Sequence, residues 1–229
     1  MTYYTGDIHG YIEPILAFIE KHFLTHDDTV VILGDAGLNY YLDFSEEEKK
    51  KRLNNTGVTI FCIHGNHEER PENIPSYERK RWNGGIVFYE SEFPNLLFAK
   101  DGEIYNMDGK ETIVIGGAYS VDKYYRLMSG NRWFKDEQPS EETKQHVEDV
   151  LESRNWVIDQ VLSHTCPSSY IPIEAFLPGI DQRKVDRSTE DWLDTIEKKL
   201  SYDRWLCGHW HIDKSINKLR FLNKDVIGG

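Results

Sequence analysis

Cysteine is scarce in this sequence. Only Cys62, Cys166 and Cys207 occur, and no two of them form a CxxC pair. Three scattered thiols are too few for the disulfide framework of a small secreted protein. The scarcity therefore favours a reduced, cytoplasmic setting.

Long hydrophobic runs are missing as well. No stretch reaches the ~18 uninterrupted apolar residues that indicate a membrane-spanning helix. The opening residues MTYYTGD have neither the basic region nor the apolar region of an export signal. We therefore expect neither membrane insertion nor export.

Positive charge is in the minority, with 27 Lys and Arg residues against 39 Asp and Glu residues and a net charge of −12. Such a surface repels nucleic-acid backbones, so we expect no long RNA or DNA partner. Two stretches of mixed charge, 45–52 and 140–152, are typical of solvated helices, and we assign them no function.

Apolar residues are present in sufficient number for a hydrophobic core. The chain has 229 residues, of which 39% are hydrophobic and 13% aromatic. That length and composition predict one domain over residues 1–229.

The stretch Val58–Glu68, VTIFCIHGNHE, is the most informative part of the chain. Its β-branched and aromatic residues predict a strand that is buried on both faces. The strand breaks off into Asn66, His67 and Glu68. Polar groups at strand ends are informative because ligands of open α/β sheets collect outside the carboxyl ends of the strands.

Two earlier strands end in the same way. Residues 2–6 lead to Asp7-Ile8-His9-Gly10, and residues 29–33 lead to Gly34-Asp35. Helices are predicted after the first strand, with Pro14 in the first turn, and over 45–54. This alternation is the βαβ pattern of a parallel sheet.

The pattern changes after residue 70. Short β-type runs at 86–90, 96–100, 103–107 and 111–117 predict an antiparallel extension of the first sheet or a second sheet packed on it. A last β-type run covers 218–227. The segments 119–139 and 166–187 are predicted as long loops, which are often functional.

Two further strands are predicted in the last third of the chain. A helix over 140–154 precedes a strand over 156–163 that ends at His164, and a helix over 188–200 precedes a strand over 204–207 that ends at Gly208-His209-Trp210-His211. Five strand ends thus carry carboxylate, amide and imidazole groups.

These groups are suited to metal binding. Besides His67 the set contains Asp7, His9, Asp35, Asn66, His164, His209 and His211. Oxygen and imidazole ligands favour Mn²⁺, Fe or Zn²⁺ over Ca²⁺. Seven ligands match two divalent ions with one bridging carboxylate, and two ions ~3.5 to 4 Å apart can generate a bridging hydroxide that attacks a phosphoryl group.

The order of these blocks resembles that of the calcineurin-like metallophosphoesterases. GDIHG, GD, GNHE, a single His and GHWH follow one another from residue 6 to residue 211. The blocks GDIHG and GNHE are similar to those of the phosphoprotein-phosphatase branch and of related bacterial and phage enzymes, including dinucleoside tetraphosphate hydrolases. The resemblance implies an α/β fold: a two-sheet β-sandwich flanked by helices, with a dinuclear metal centre at the strand ends.

The resemblance also implies roles for single residues. Asp7, His9 and His211 correspond to ligands of the first metal, and Asn66, His164 and His209 to ligands of the second. Asp35 corresponds to the bridging carboxylate. His67 corresponds to the general acid near the leaving-group oxygen, and Glu68 to a supporting residue behind the ligands.

One block departs from the phosphoprotein-phosphatase pattern. Where that branch has GDxxDRG, this chain has Leu38 and Asn39 in place of the Asp that orients the catalytic His and the Arg that holds phosphate. Arg70 and Arg126 are the candidate substrate residues. Lys123 and Arg132, near Arg126, are further basic candidates.

The predicted function is hydrolysis of a phosphate ester by a metal-bridging hydroxide, with His67 as general acid. The expected substrate is a phosphoprotein or a small phosphomonoester or phosphodiester. Two alternatives stay open: a nucleotide or dinucleoside polyphosphate hydrolase, and a non-catalytic binding scaffold of the same fold. Aromatic residues at 124, 125, 133 and 134 either stack on a base or anchor their own loop.

Overall fold

Two β-sheets form the centre of the fold, and helices lie on their outer faces. The computed structural model describes residues 1–229. The strands are β1 (Thr2–Thr5), β2 (Thr29–Ile32), β3 (Thr59–Cys62), β4 (Tyr77–Trp82), β5 (Gly85–Glu90), β6 (Leu96–Ala99), β7 (Ile104–Met107), β8 (Lys110–Ile115), β9 (Gln160–Ser163), β10 (Arg204–Cys207), β11 (Lys214–Ile216), β12 (Leu219–Phe221) and β13 (Ile227–Gly228). The helices are α1 (Glu13–Lys21), α2 (Phe44–Asn54), α3 (Lys123–Ser129), α4 (Glu141–Ser153) and α5 (Ser188–Glu197).

The first sheet has seven strands in the order β13-β1-β2-β3-β6-β5-β4. Strands β1, β2, β3 and β6 run parallel, while β5, β4 and β13 pair antiparallel with their neighbours. The second sheet has six strands in the order β11-β12-β10-β9-β8-β7, with β8, β9, β10 and β12 parallel. Each sheet therefore has a parallel centre whose strand ends lie at a common edge.

The apolar residues of the central strands alternate between two cores. On β2 and β3, Val31 and Phe61 face the second sheet, whereas Val30 and Ile60 pack with the helices α1 and α2. Successive side chains of a strand point to opposite faces, and here both faces are covered. This explains why these strands are apolar throughout.

The second sheet is built in the same way. Val114 and Leu162 face the first sheet, and Trp205 packs outward with residues of α4 and α5 such as Leu151 and Leu193. The result is a mixed α/β fold of two sheets between helices, as the sequence predicts.

The structure differs from the sequence-based prediction at several elements. The strand predicted over 156–163 begins only at Gln160, because Asn155 and Trp156 adopt positive φ angles of 53° and 56° after the end of α4. Helix α3 lies inside the predicted loop 119–139, and β4 was not predicted. The β-type run over 218–227 divides into β12 and β13, which belong to different sheets.

The region between residues 86 and 117 combines both predicted arrangements. Strands β5 and β6 extend the first sheet, while β7 and β8 belong to the second. Both sheets therefore gain strands from this one segment.

The helices offer no candidate for a membrane span, because none combines the length and the apolar character that crossing a bilayer requires.

A substitution at Leu97 tests the packing of the core between the sheets, where this side chain is 1% exposed. We expect Leu97→Ala to lower the free energy of unfolding by about 2–5 kcal/mol, because the lost side chain leaves a cavity in a packed interior. The measurement is urea unfolding followed by circular dichroism. Leu127→Ala, at a site 53% exposed, is the matched control and should change stability little; equal losses for both variants would contradict this packing.

Candidate metal centre

Five strand ends from both sheets meet at one edge of the sandwich. Asp7 and His9 follow β1, Asp35 follows β2, Asn66 and His67 follow β3, His164 follows β9, and His209 and His211 follow β10. All seven sequence-predicted ligands therefore come from the carboxyl ends of parallel strands. The fold brings together residues that lie far apart along the chain.

Asp7 presents an unmatched oxygen atom to this edge. Its Oδ1 accepts a hydrogen bond from the His209 backbone N–H at 2.8 Å, whereas its buried Oδ2 has no hydrogen bond of regular geometry and His211 Nε2 lies 3.3 Å from it. Burial alone would raise the pKa of Asp7, but the imidazoles of His211 and His164 lower it to about 2. A buried carboxylate oxygen without a donor is costly unless a cation binds it.

His9 and His211 lie on either side of that oxygen. Their Nε2 atoms are 3.1 Å apart, and they lie 3.9 Å and 3.3 Å from Asp7 Oδ2. The three side chains form one group whose candidate ligand atoms all lie within 4.8 Å of one another. This is the set that the family resemblance assigns to the first metal.

His164 and Asn66 present a second unmatched pair of atoms. His164 Nδ1 donates to the Leu33 carbonyl oxygen at 2.8 Å, so in the neutral form of this imidazole the Nε2 atom is an acceptor. That Nε2 lies 2.8 Å from Asn66 Oδ1, and the amide is oriented by its Nδ2, which donates to Ser120 Oγ. Two acceptors therefore face each other, and a cation between them would satisfy both.

Asp35 lies between the two sets. Its Oδ2 is 3.9 Å from His9 Nδ1 and 3.7 Å from His164 Nε2, and its Oδ1 accepts from the His67 backbone N–H at 2.8 Å. Asp35, Asp7 and His164 also form a group within 4.8 Å. Both carboxylates are thus placed near both candidate metal positions.

His209 is placed less closely than the other ligands. Its ring centroid is 5.0 Å from that of His164, and it belongs to neither compact group. Burial and the nearby His164 lower the pKa of His209 well below its usual value, which leaves its imidazole neutral and able to coordinate.

The backbone around these ligands is strained. His9, Asp35, His209 and His211 all have positive φ angles, between 44° and 64°. Such angles are uncommon for residues other than glycine and cluster at functional sites. Strand residues continuing in regular geometry would point their side chains away from this edge.

Glycine precedes the ligands for a steric reason. At Gly34, which has a φ angle of +95°, a Cβ atom would lie 2.1 Å from His164 Nδ1, and at Gly65 it would lie 2.0 Å from Asp35 Oδ1. No side chain fits in either place. The Gly-Asp and Gly-Asn-His sequences are therefore requirements of close packing around the ligands.

His67 lies beside the ligands and next to a basic residue. It is half-buried, and its Nε2 is 3.4 Å from Arg126 Nη2. Burial lowers the pKa of His67, Asp35 raises it and Arg126 lowers it further. The imidazole therefore faces the same cleft as the candidate metal ligands, with its Nε2 next to Arg126.

Arg126 is held in place by two neighbours. Its Nε donates to Asp122 Oδ2 at 2.7 Å, and its Nη1 donates to Tyr40 OH at 3.1 Å. Helix α3 thus brings an Asp and an Arg next to His67. Leu38 and Asn39, which occupy the positions of the missing Asp and Arg, are buried, and Asn39 Oδ1 accepts from Tyr77 OH.

The other basic candidates have partners of their own. Arg70 Nη1 is 2.8 Å from Asp101 Oδ2 and its Nε donates to the Asp136 carbonyl oxygen, so Arg70 does not line the cleft. Arg132 lies 3.6 Å from Glu69, and Lys123 Nζ lies 3.9 Å from the Trp133 ring. Arg126 alone of the four lies against His67.

Glu68 supports the loop that carries Asn66. Its Oε1 accepts from the Gly65 backbone N–H at 2.8 Å. Burial, together with repulsion from Asp35, raises the pKa of Glu68 to about 8.

Two cavities open from the site. One of about 390 Å³ extends towards Trp210 and residues 171–187, and one of about 310 Å³ extends towards Tyr40, Lys49 and Tyr125. Both are lined by His9, His67, Asp122 and Arg126. Those four side chains separate the two arms of the cleft.

Sequence reasoning missed Asp122, Tyr40 and the apolar residues of the larger cavity. The aromatic residues of the segment 119–139 differ in their surroundings. Phe134 is buried and Trp133 donates to Glu137, so these two anchor the segment. Tyr124 and Tyr125 are exposed. The signal available was the unusual length of the two loops.

The comparisons with known proteins agree with this geometry. The sequence profile described as calcineurin-like phosphoesterase matches residues 2–213. The chain belongs to the calcineurin-like phosphoesterase family. Membership indicates metal-dependent phosphoesterase chemistry in general, and the donor atoms of this member of the family fit divalent ions.

Solved structures show the same fold. The crystal structure of TT1561 of Thermus thermophilus is 10% identical, with a TM-score of 0.53, and the match covers 97% of this chain and 89% of that one. A second crystal structure is 13% identical, with a TM-score of 0.54 and the same coverage. No curated protein matches this calcineurin-like phosphoesterase significantly.

Replacing Asp35 by Asn tests the metal centre. The amide oxygen can keep the hydrogen bond from His67, but the side chain loses the negative charge that holds two cations close together. We expect loss of at least one bound Mn²⁺ per chain, measured by titration calorimetry and metal analysis. Asp27→Asn, at an exposed carboxylate, is the control; unchanged metal content in Asp35→Asn would contradict the assignment.

Proposed function

We propose that this protein is a two-metal phosphoesterase that hydrolyses phosphate esters, with Asp7, His9, Asp35, Asn66, His164, His209 and His211 as ligands. The observation that carries the proposal is the pair of unmatched acceptor sets, Asp7 Oδ2 on one side and His164 Nε2 with Asn66 Oδ1 on the other. Asn66, and His9 and His211 beside Asp7, line the cleft that contains His67 and Arg126.

The donor set supports Mn²⁺ as the first ion to test, with Fe and Zn²⁺ as alternatives. Carboxylate, amide and imidazole ligands suit these metals, and the three thiols of the chain are buried elsewhere. Divalent ions at such a site supply Lewis acidity, which lowers the pKa of water and offsets the charge of a phosphoryl group.

His67 is proposed as the general acid. Its backbone N–H is bound to Asp35, which fixes the residue beside the ligands, while its ring Nε2 faces the cleft. From there it can donate a proton to the departing ester oxygen. A bound phosphate dianion would counter the Arg126 charge and favour the imidazolium form.

Arg126 is proposed as the residue that holds the phosphate. Its guanidinium is fixed by Asp122 and Tyr40 and lies on the cleft side of His67. A guanidinium offers several donors in a rigid plane and binds phosphate oxygens bidentately. The Asp122–Arg126 pair of α3 would thus replace the Asp and Arg that are missing after Asp35.

His67→Ala tests the acid role. Metal content should stay intact, while turnover of glycerol phosphate falls by ~10²- to 10⁴-fold, the usual contribution of a positioned acid. Turnover of p-nitrophenyl phosphate should fall much less, because p-nitrophenolate departs without a proton. Steady-state kinetics on both esters measure the difference.

His26→Ala is the control for that experiment, since His26 is exposed and lies outside the cleft. Equal losses on both esters with the metals still bound would contradict proton donation. No turnover of any ester by the unmutated, Mn²⁺-loaded protein would favour a binding scaffold.

Arg126→Ala tests the phosphate contact. We expect kcat/KM to fall roughly 10- to 100-fold and inhibition by inorganic phosphate to weaken in parallel, because a charge-assisted hydrogen bond contributes about 1.5–3 kcal/mol. Arg126→Lys should recover part of the loss, since it keeps the charge without the planar fork. The control is Arg81→Ala, at an exposed strand residue; unchanged phosphate inhibition in Arg126→Ala would refute the contact.

A further inference from the structure

The larger cavity has a composition that the metal chemistry does not require. The whole cavity has a volume of about 390 Å³. One end is formed by the candidate ligands, and the other is walled by apolar side chains of the segment 171–187 and by Trp210. Hydrolysis of a phosphate group alone uses only the first end. The second end has the apolar lining and few polar groups typical of a small-molecule site.

Aromatic rings supply a flat part of that wall. The Phe176 and Trp210 ring centroids are 6.1 Å apart with planes inclined by 37°, and the Arg187 guanidinium carbon is 5.7 Å from the Phe176 centroid. Both rings are half-buried and line the cavity. Aromatic faces and guanidinium planes are surfaces on which heteroaromatic rings stack.

The same cavity contains a buried acceptor without a donor. Glu190 is 4% exposed; its Oε1 accepts from Thr165 Oγ1 at 2.8 Å, whereas its Oε2 has no hydrogen-bond partner. Burial raises the pKa of Glu190 to about 7, and in its carboxylate form the unpaired Oε2 would accept a hydrogen bond from a ligand N–H group. A purely aliphatic or phenyl group has no N–H to donate and would leave Glu190 Oε2 without a hydrogen-bond partner.

Gln182 adds a donor to this set. Its Oε1 accepts from Arg187 Nη2 at 3.2 Å, which leaves the Nε2 amide hydrogens for another acceptor. Apolar walls, stacking surfaces, one acceptor and one donor together match a flat ring with heteroatoms at its edge.

We propose that this cavity binds the nucleobase of a nucleotide whose phosphate lies at the metal centre, with Phe176 and Trp210 contacting the ring and Glu190 accepting from its amino group. The inference rests on the proposed phosphoesterase function and narrows its substrate class to nucleotides.

The test compares esters that differ only in the base. Adenosine 5′-monophosphate and ribose 5-phosphate carry the same phosphate on the same sugar. We expect kcat/KM to be roughly 10- to 100-fold higher for the nucleotide, mainly through KM, which is the range that base–aromatic stacking contributes. Purine riboside 5′-monophosphate, which lacks the amino group, should be a poorer substrate than the adenosine ester.

Variants of Phe176 locate the effect in the cavity. Phe176→Ala and Phe176→Leu should both reduce the preference for the nucleotide while leaving ribose 5-phosphate turnover unchanged, and Phe176→Trp should retain it. The preference is the ratio of the kcat/KM values for the two substrates, measured on one preparation. A lower fraction of folded protein reduces both values equally and leaves the ratio unchanged. Tyr124→Ala is the aromatic control, since Tyr124 is 67% exposed and lines neither cavity.

The outcomes separate this inference from the proposed function. Equal kcat/KM for nucleotide and ribose phosphate, or an unchanged preference in Phe176→Ala, would overturn the nucleobase site while leaving the phosphoesterase intact. If no ester is hydrolysed, the proposed function fails, but calorimetry in the presence of Mn²⁺ still tests whether the cavity binds a base. Tighter binding of adenosine 5′-monophosphate than of ribose 5-phosphate supports the nucleobase site, and equal binding overturns it.

Discussion

The structure depends on one constraint: ligand side chains from five strand ends are held close together at one edge of the sandwich. Asp7 Oδ2 is buried and unpaired, and His164 Nε2 faces Asn66 Oδ1 at 2.8 Å. The packed sheets hold this arrangement, because each ligand lies within four residues of the end of a buried strand. Positive φ angles at four of the ligands show that local backbone preference is overridden at the same place.

Sequence alone predicts most of this edge for a physical reason. Buried parallel strands are apolar throughout, so the point at which each one ends in polar residues is visible without a structure. Asp35 and His164 could therefore be identified as candidate ligands. The close approach that makes Gly34 and Gly65 necessary could not, because it depends on strands from two different sheets.

The elements that sequence misses are those without a buried periodic face. Helix α3 contains no buried residue, so its seven residues carry no amphipathic pattern. Strand β4 lies at the edge of its sheet and consists largely of charged and exposed residues. Yet α3 brings Arg126 to His67, and the irregular segment 171–187 walls the larger cavity. The substrate-facing parts of the protein are thus the least predictable, since loops vary in function on a common scaffold.

The central claim is that the unmatched acceptors bind two divalent ions at this edge. Anomalous diffraction from crystals grown with Mn²⁺ tests it directly. The account predicts two peaks, one beside Asp7, His9 and His211 and one beside Asn66 and His164, with Asp35 between them. A crystal that contains the folded chain and Mn²⁺ but shows no peak at these side chains would contradict it.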